Sequence, residues 1–81
     1  MAKFKFEMDK KSAVLAVKKA LNGKVPILKD KNDCLTVGSP MMTVNIKFSE
    51  NTVETSASLV GKVVIGTVDS AIELSDGFEK I

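Results

Sequence analysis

The sequence predicts a single α+β domain, residues 1–81, in which an antiparallel sheet of four to five strands carries two helices on one face. Two observations predict this two-layer sandwich. Several stretches alternate strictly between apolar and polar residues, which is typical of strands with one buried face. Two other stretches repeat their apolar residues at helical spacing. In chain order the elements read β-α-β-β-β-β-α, and a chain of 81 residues has room for one core.

The first strand and the first helix have the clearest patterns. Residues 3–8, K-F-K-F-E-M, alternate between charged and apolar side chains, which places both phenylalanines on the buried face. Asp9 occupies the position of a helix N-cap, and residues 10–22 contain good helix formers without Gly or Pro. Gly23 then ends the helix, because glycine readily adopts the left-handed conformation found after a helix C-terminus.

Four short strands are predicted in the middle of the chain. They span residues 25–28, 34–37, 42–48 and 52–59, with a turn at 30–33. The short turns between them imply antiparallel hairpins. Each strand has one apolar face and one polar face, so the sheet needs a helical layer on one side only.

The C-terminal part of the chain allows two interpretations. One is a single amphipathic helix that begins near Gly61 and runs to the C-terminus, and we favour it. The other is a strand over residues 62–67 followed by a shorter helix. Both make residues 69–81 helical. At about 100° per residue, the single helix has an apolar stripe with Ile65 and Ile72 at one border. The stripe consists of Val63, Val64, Val68, Ala71, Leu74 and Phe78.

Residues 61–67, G-K-V-V-I-G-T, match part of the phosphate-binding loop pattern G-x-x-x-x-G-K-[ST]. The lysine that should follow the second glycine is missing, and the residues between the glycines are mostly large and β-branched. A phosphate cradle uses small residues so that backbone N–H groups can reach the anion. We therefore predict no nucleotide site and no cofactor.

We also predict that the protein is not an enzyme and binds no metal. The chain contains no His, which removes the commonest general base and metal ligand. The single cysteine, Cys34, therefore has no histidine to activate it. Asp69 and Glu73 fall on the polar face of the predicted helix and Glu54 on the outer face of its strand, whereas a catalytic acid needs a partly dry site.

The sequence indicates a cytoplasmic protein. Residues 1–11 are charged and lack the apolar segment of a signal peptide. No stretch approaches the ~20 apolar residues of a membrane span. One cysteine cannot form an internal disulfide, which favours a reducing compartment.

The favoured function is a protein–protein interaction or homo-oligomerisation module. The apolar arc of the predicted C-terminal helix approaches about 200°, which is wider than one sheet face covers. The surplus residues, together with two methionines beside Pro40, form a possible interaction surface. Its members are Ile65, Ile72, Ile81, Met41 and Met42. The expected partner is a second copy or another protein.

The alternative function is weak electrostatic binding of nucleic acid or acidic protein. Residues 1–40 carry nine Lys and four acids, a net charge of +5, and residues 41–81 carry three Lys and six acids, a net charge of −3. The basic surface would lie on the N-terminal strand and the first helix, with Lys3, Lys5, Lys10, Lys11, Lys18 and Lys19. The chain has no Arg, and its phenylalanines fall on buried faces, so we do not expect nucleic acid to be the preferred partner.

Overall fold

The computed structural model describes residues 2–31, 33–57 and 62–81. These residues form an α+β fold with a six-stranded antiparallel sheet and two helices. The α+β class is confirmed, and the sheet has a sixth strand that the sequence did not predict. In chain order the elements are β1 (Ala2–Phe6), α1 (Lys10–Leu21), β2 (Ile27–Lys31), β3 (Cys34–Ser39), β4 (Met42–Phe48), β5 (Thr52–Ala57), α2 (Lys62–Leu74) and β6 (Phe78–Lys80).

The strands lie in the order β2-β3-β4-β5-β1-β6, so β1 is inserted between β5 and the C-terminal strand. Three hairpins connect β2 to β5 in sequence, as predicted. β2 begins two residues later than predicted and extends into the predicted turn, ending at Lys31. It is an edge strand whose five residues are all exposed. The predicted turn residue Asn32 and the predicted strand residue Leu59 lie outside the described residues.

Alternate residues of the strands face one side of the sheet, the inner face, and form the core together with the helices. In β1 the buried residues alternate with the exposed Lys3 and Lys5, as the sequence predicted. The buried apolar residues of both helices join the same core cluster. From the helices these are Ala13, Val17, Leu21, Val68, Ala71 and Ile72; from the strands they are Ala2, Phe4, Phe6, Leu35, Val37, Val44, Ile46, Phe48, Val53 and Phe78.

The N-cap of α1 is formed by Asp9, as predicted. Its carboxylate accepts hydrogen bonds from the backbone N–H of Ser12 at 3.2 Å and from the Ser12 hydroxyl at 2.7 Å. These two bonds hold the pKa of Asp9 below its ordinary value, because they favour the charged form. At the other end, Gly23 has a φ of 80°, which closes the helix in the left-handed conformation.

The prediction that residues 69–81 are helical is wrong for the last part of this range. α2 ends at Leu74, and Gly77 has a φ of 93°, a backbone conformation that side chains larger than glycine disfavour. The chain then returns as β6, which pairs with β1 and places Phe78 opposite Phe6. The two rings pack edge to face with centroids 5.8 Å apart. Phe78 is therefore buried, but from a strand and not from a helix.

α2 begins at Lys62, so residues 62–67 are helical and the strand alternative for them is wrong. Gly61 lies outside the described residues. The helix is rotated about its axis by roughly 70° from the predicted orientation. As a result Ile72, predicted at the border of the stripe, is fully buried. Val63 and Leu74, predicted inside the stripe, are 79% and 81% exposed.

A buried hydrogen bond accounts for this rotation. Thr55 lies on the inner face of β5 and is fully buried. Its hydroxyl donates to Oδ1 of Asp69 in α2 at 2.6 Å and accepts from the backbone N–H of Ala2 in β1 at 3.2 Å. Asp69, predicted on the polar side of the helix, therefore faces the sheet. A buried hydroxyl needs such partners, and this one joins α2 to two strands.

Candidate functional site

The five residues of the predicted apolar interaction surface do not meet on one surface. Ile72 is part of the core and is not available to a partner. Ile65 is half-buried against the core. Met41 and Met42 lie at the β3–β4 turn and are 80% and 37% exposed, whereas Ile81 is 69% exposed beyond β6. Three strand spacings separate β4 from β6, which is about 14 Å at ~4.8 Å per spacing.

The rotation of α2 exposes a different apolar face, which we call the α2 outer line. It consists of Val63, Thr67, Ser70 and Leu74, which fall within about 60° of one another around the helix at ~100° per residue. Val63 and Leu74 are the large residues at its two ends, and Thr67 and Ser70 lie between them. Lys24 flanks this line across a shallow groove.

A second shallow groove continues from Val63 toward the end of the sheet. It is lined by Val63 and Val64 of α2, by Pro26 before β2 and by Met42 at the start of β4. This groove therefore joins the Val63 end of the α2 outer line to the β3–β4 turn, and Lys24 and Thr67 line it as well. Met42 is the one residue of the predicted interaction surface that lines this groove.

The predicted basic residues divide between two sides of the sheet. Lys3 and Lys5 alternate with buried residues of β1 and so point away from the helices. The four lysines of α1 lie on the helical side, and two of them form ion pairs. Lys10 Nζ lies 2.7 Å from Oδ1 of Asp33, and Lys18 pairs with Asp30. Lys11 and Lys19 are exposed.

Cys34, the acidic residues and the one buried polar residue among those described are placed as follows. Among the described residues, no three His, Cys, Asp or Glu side chains lie close enough to hold a metal ion. Cys34 is a half-buried free thiol on β3. Thr55, the buried polar residue among those described, is occupied by the hydrogen bonds that anchor α2.

Neither described helix combines the length and the hydropathy that a membrane crossing requires. Comparison of the chain with protein-family models gave no match. Searches of curated proteins and of solved structures also gave no match. The function proposed below therefore rests on the surfaces of this chain alone.

Proposed function

We propose that this chain is a small non-enzymatic interaction module that pairs with a second copy of itself through the α2 outer line. The observation that carries the proposal is the exposure of Val63 and Leu74, at 79% and 81%, on one side of the helix. The outward side of a helix in a globular protein usually carries charged residues. Two large apolar residues there, with only Thr67 and Ser70 between them, make a face that gains free energy when another apolar surface covers it.

The α2 outer line is complementary to itself when two helices run antiparallel. Val63 and Leu74 are separated by about 16 Å along the helix axis at ~1.5 Å per residue. A two-fold axis through the middle of the line places Val63 of one copy against Leu74 of the other. Thr67 then faces Ser70, and these small side chains allow the helix axes to approach to about 8 Å, the close end of the usual range. A patch that contacts itself in this way closes as a dimer.

The dimer that this surface supports is weak. One exposed helix line buries less than the ~1,200 Å² at which stable interfaces begin, even with the groove beside Met42 added. We therefore expect association that depends on protein concentration rather than a permanent dimer.

A further observation supports a binding role without catalysis. The polar side chain in the core, that of Thr55, has a structural role in joining α2 to β5 and β1. Cys34 is a free thiol, which suits a reducing compartment, and we propose that the protein acts in the cytoplasm.

Sedimentation equilibrium over a wide range of protein concentrations tests the proposal. We expect the wild-type chain to approach dimer mass at high concentration, and Val63→Lys and Leu74→Lys to remain monomeric. The matched control is Leu15→Lys, because Leu15 is 58% exposed on α1, away from the α2 outer line. Ile72→Glu is not a useful variant, because it buries a charge in the core and would report on folding instead of association.

Two outcomes would contradict the proposal. One is a wild-type chain that stays monomeric at every concentration. The other is a dimer that Leu15→Lys weakens as much as Leu74→Lys does, because the dimer would then not depend on the α2 outer line.

A further inference from the structure

The face of the sheet opposite to the helices, the outer face, is open. Both helices pack on the inner face through a single core cluster, and no described element covers the outer face. The strand register places five lysines and two glutamates on the outer face, a net charge of +3. The charged residues are Lys3, Lys5, Lys29, Lys31, Lys47, Glu54 and Glu79.

Three of these lysines form a row across the strands. In register order, Lys31 lies beside Cys34, Cys34 beside Lys47, Lys47 beside Glu54, and Glu54 beside Lys3. At ~4.8 Å per strand, successive lysines in the row are about 10 Å apart at the backbone. The row therefore spans about 19 Å from β2 to β1.

Most of the outer lysines keep their charge unpaired. Within residues 2–31, 33–57 and 62–81, no ion pair involves Lys3, Lys29, Lys31 or Lys47. Asp30 within β2 and Asp33 just after it are engaged instead by lysines of α1 on the helical side. Lys5 is the exception, since its Nζ lies 3.6 Å from Oε2 of Glu79.

The residues beside the lysine row are polar. A parallel row contains Lys29, Thr36, Asn45 and Ser56, and the Thr36 hydroxyl donates to Asn45 Oδ1 at 3.0 Å. Lysine, threonine, asparagine and serine are residue types that contact phosphate oxygens in nucleic-acid complexes. The described residues of this face include no aromatic side chain, so it offers no platform for base stacking.

We propose that the outer face binds the phosphate backbone of double-stranded nucleic acid without sequence specificity. A duplex is favoured over a single strand because it presents about one charge per 1.7 Å of its axis. A single strand has a lower charge density, and this face has no aromatic platform whose base stacking could offset that difference. An anionic membrane is a poorer fit, since the described residues of this face include no aromatic side chain to insert at the interface. This activity is independent of the dimer proposed above, because it uses the opposite side of the sheet.

Fluorescence anisotropy with a labelled duplex of roughly 16 base pairs and with one of its single strands tests this proposal. The informative variant is Lys31→Gln/Lys47→Gln, measured over a salt series. Its matched control is Lys11→Gln/Lys19→Gln, which makes the same change of net charge on the helical side. All four lysines are exposed, and circular dichroism of each variant serves as the check that it folds.

We expect tighter binding of the duplex than of the single strand, with affinity that falls steeply as salt rises. The outer-face double variant should reduce the slope of log K against log salt by about 1.8, because each lysine that neutralises a phosphate contributes ~0.9 to that slope. The control should leave the slope unchanged. Glu54→Gln should tighten binding, because Glu54 lies between Lys47 and Lys3 in the row.

Three results would overturn the proposal. The first is no salt-dependent binding of the duplex at low salt. The second is an equal loss of affinity in both double variants, which would mean that net charge alone decides binding. The third is binding to vesicles that contain phosphatidylserine without binding to the duplex, which would assign the face to a membrane.

Discussion

Thr55→Val removes the hydroxyl that joins β5, β1 and α2 and leaves a side chain of almost the same shape. The variant loses the 2.6 Å hydrogen bond to Asp69 and the acceptor for the Ala2 N–H. Removing one partner of a buried hydrogen bond costs about 1–3 kcal/mol, because the group that remains is left unsatisfied, and the cost is larger where that group is charged. We expect the free energy of unfolding to fall by about 2–3 kcal/mol, which is a large fraction for a small domain.

A double-mutant cycle isolates the contribution of the pair. The second variant is Asp69→Ala, and the double variant combines it with Thr55→Val. We expect a coupling free energy of about 1–2 kcal/mol, since both residues share one hydrogen bond. Ser70→Ala is the matched control for Asp69→Ala. It also introduces alanine, the better helix former, at the next position of α2, but it leaves the hydrogen bond to Thr55 in place.

The assay is urea unfolding followed by circular dichroism, because the chain has no Trp or Tyr for fluorescence. Unchanged m-values would show that the variants affect the folded state and not the compactness of the unfolded chain. If the two single changes add within about 0.5 kcal/mol, the hydrogen bond does not hold α2 in its orientation and our account of the rotation is wrong.

Three further predictions concern two glycines and the helix cap. Gly38→Ala should destabilise the fold by about 1–3 kcal/mol in urea unfolding, because φ is 110° and a Cβ would lie 2.2 Å from the Met42 carbonyl oxygen. Gly66→Ala should stabilise it by about 0.5–1 kcal/mol, since no atom outside the adjacent part of α2 would lie within 4 Å of the new Cβ, and a loss of stability would refute this. The stability that the charged Asp9 cap adds to the fold should be fully present above the unfolded-state pKa of about 3.9. It should be lost as the pH falls through the lowered folded-state pKa. Thermal melts of wild type and Ser12→Ala over this pH range check the prediction, because their melting temperatures should converge at low pH.

The alternating strands and the first helix could be predicted from the sequence because their signals are local. In β4, Val44, Ile46 and Phe48 are buried and the residues between them are more exposed, since the side-chain period of a strand is two residues. The Asp9 cap of α1 could also be predicted, because its partner Ser12 is only three residues away in the chain. These elements agree with the sequence pattern almost residue by residue.

The candidate surfaces could be predicted only in part. The sequence indicated that α2 has more apolar residues than one sheet face covers, but it assigned Ile72 to the surplus and Val63 to the core. A helical wheel drawn from the sequence gives the width of the apolar arc but not its orientation toward the sheet. The hydrogen bond between Thr55 and Asp69 decides which part of that arc is buried. The lysines of the outer face were visible individually, but the row exists only because four strand registers align them.

The sequence by itself determined the α+β class, the inner and outer faces of the central strands, and the ends of α1, because each depends on interactions between near neighbours in the chain. Only the tertiary structure decided the position of β1 within the sheet, the formation of β6, and the rotation of α2. A strand of three residues has too little pattern of its own and is stabilised by pairing with β1. The surfaces available to a partner depend on these long-range choices, so they became apparent only when the chain was folded.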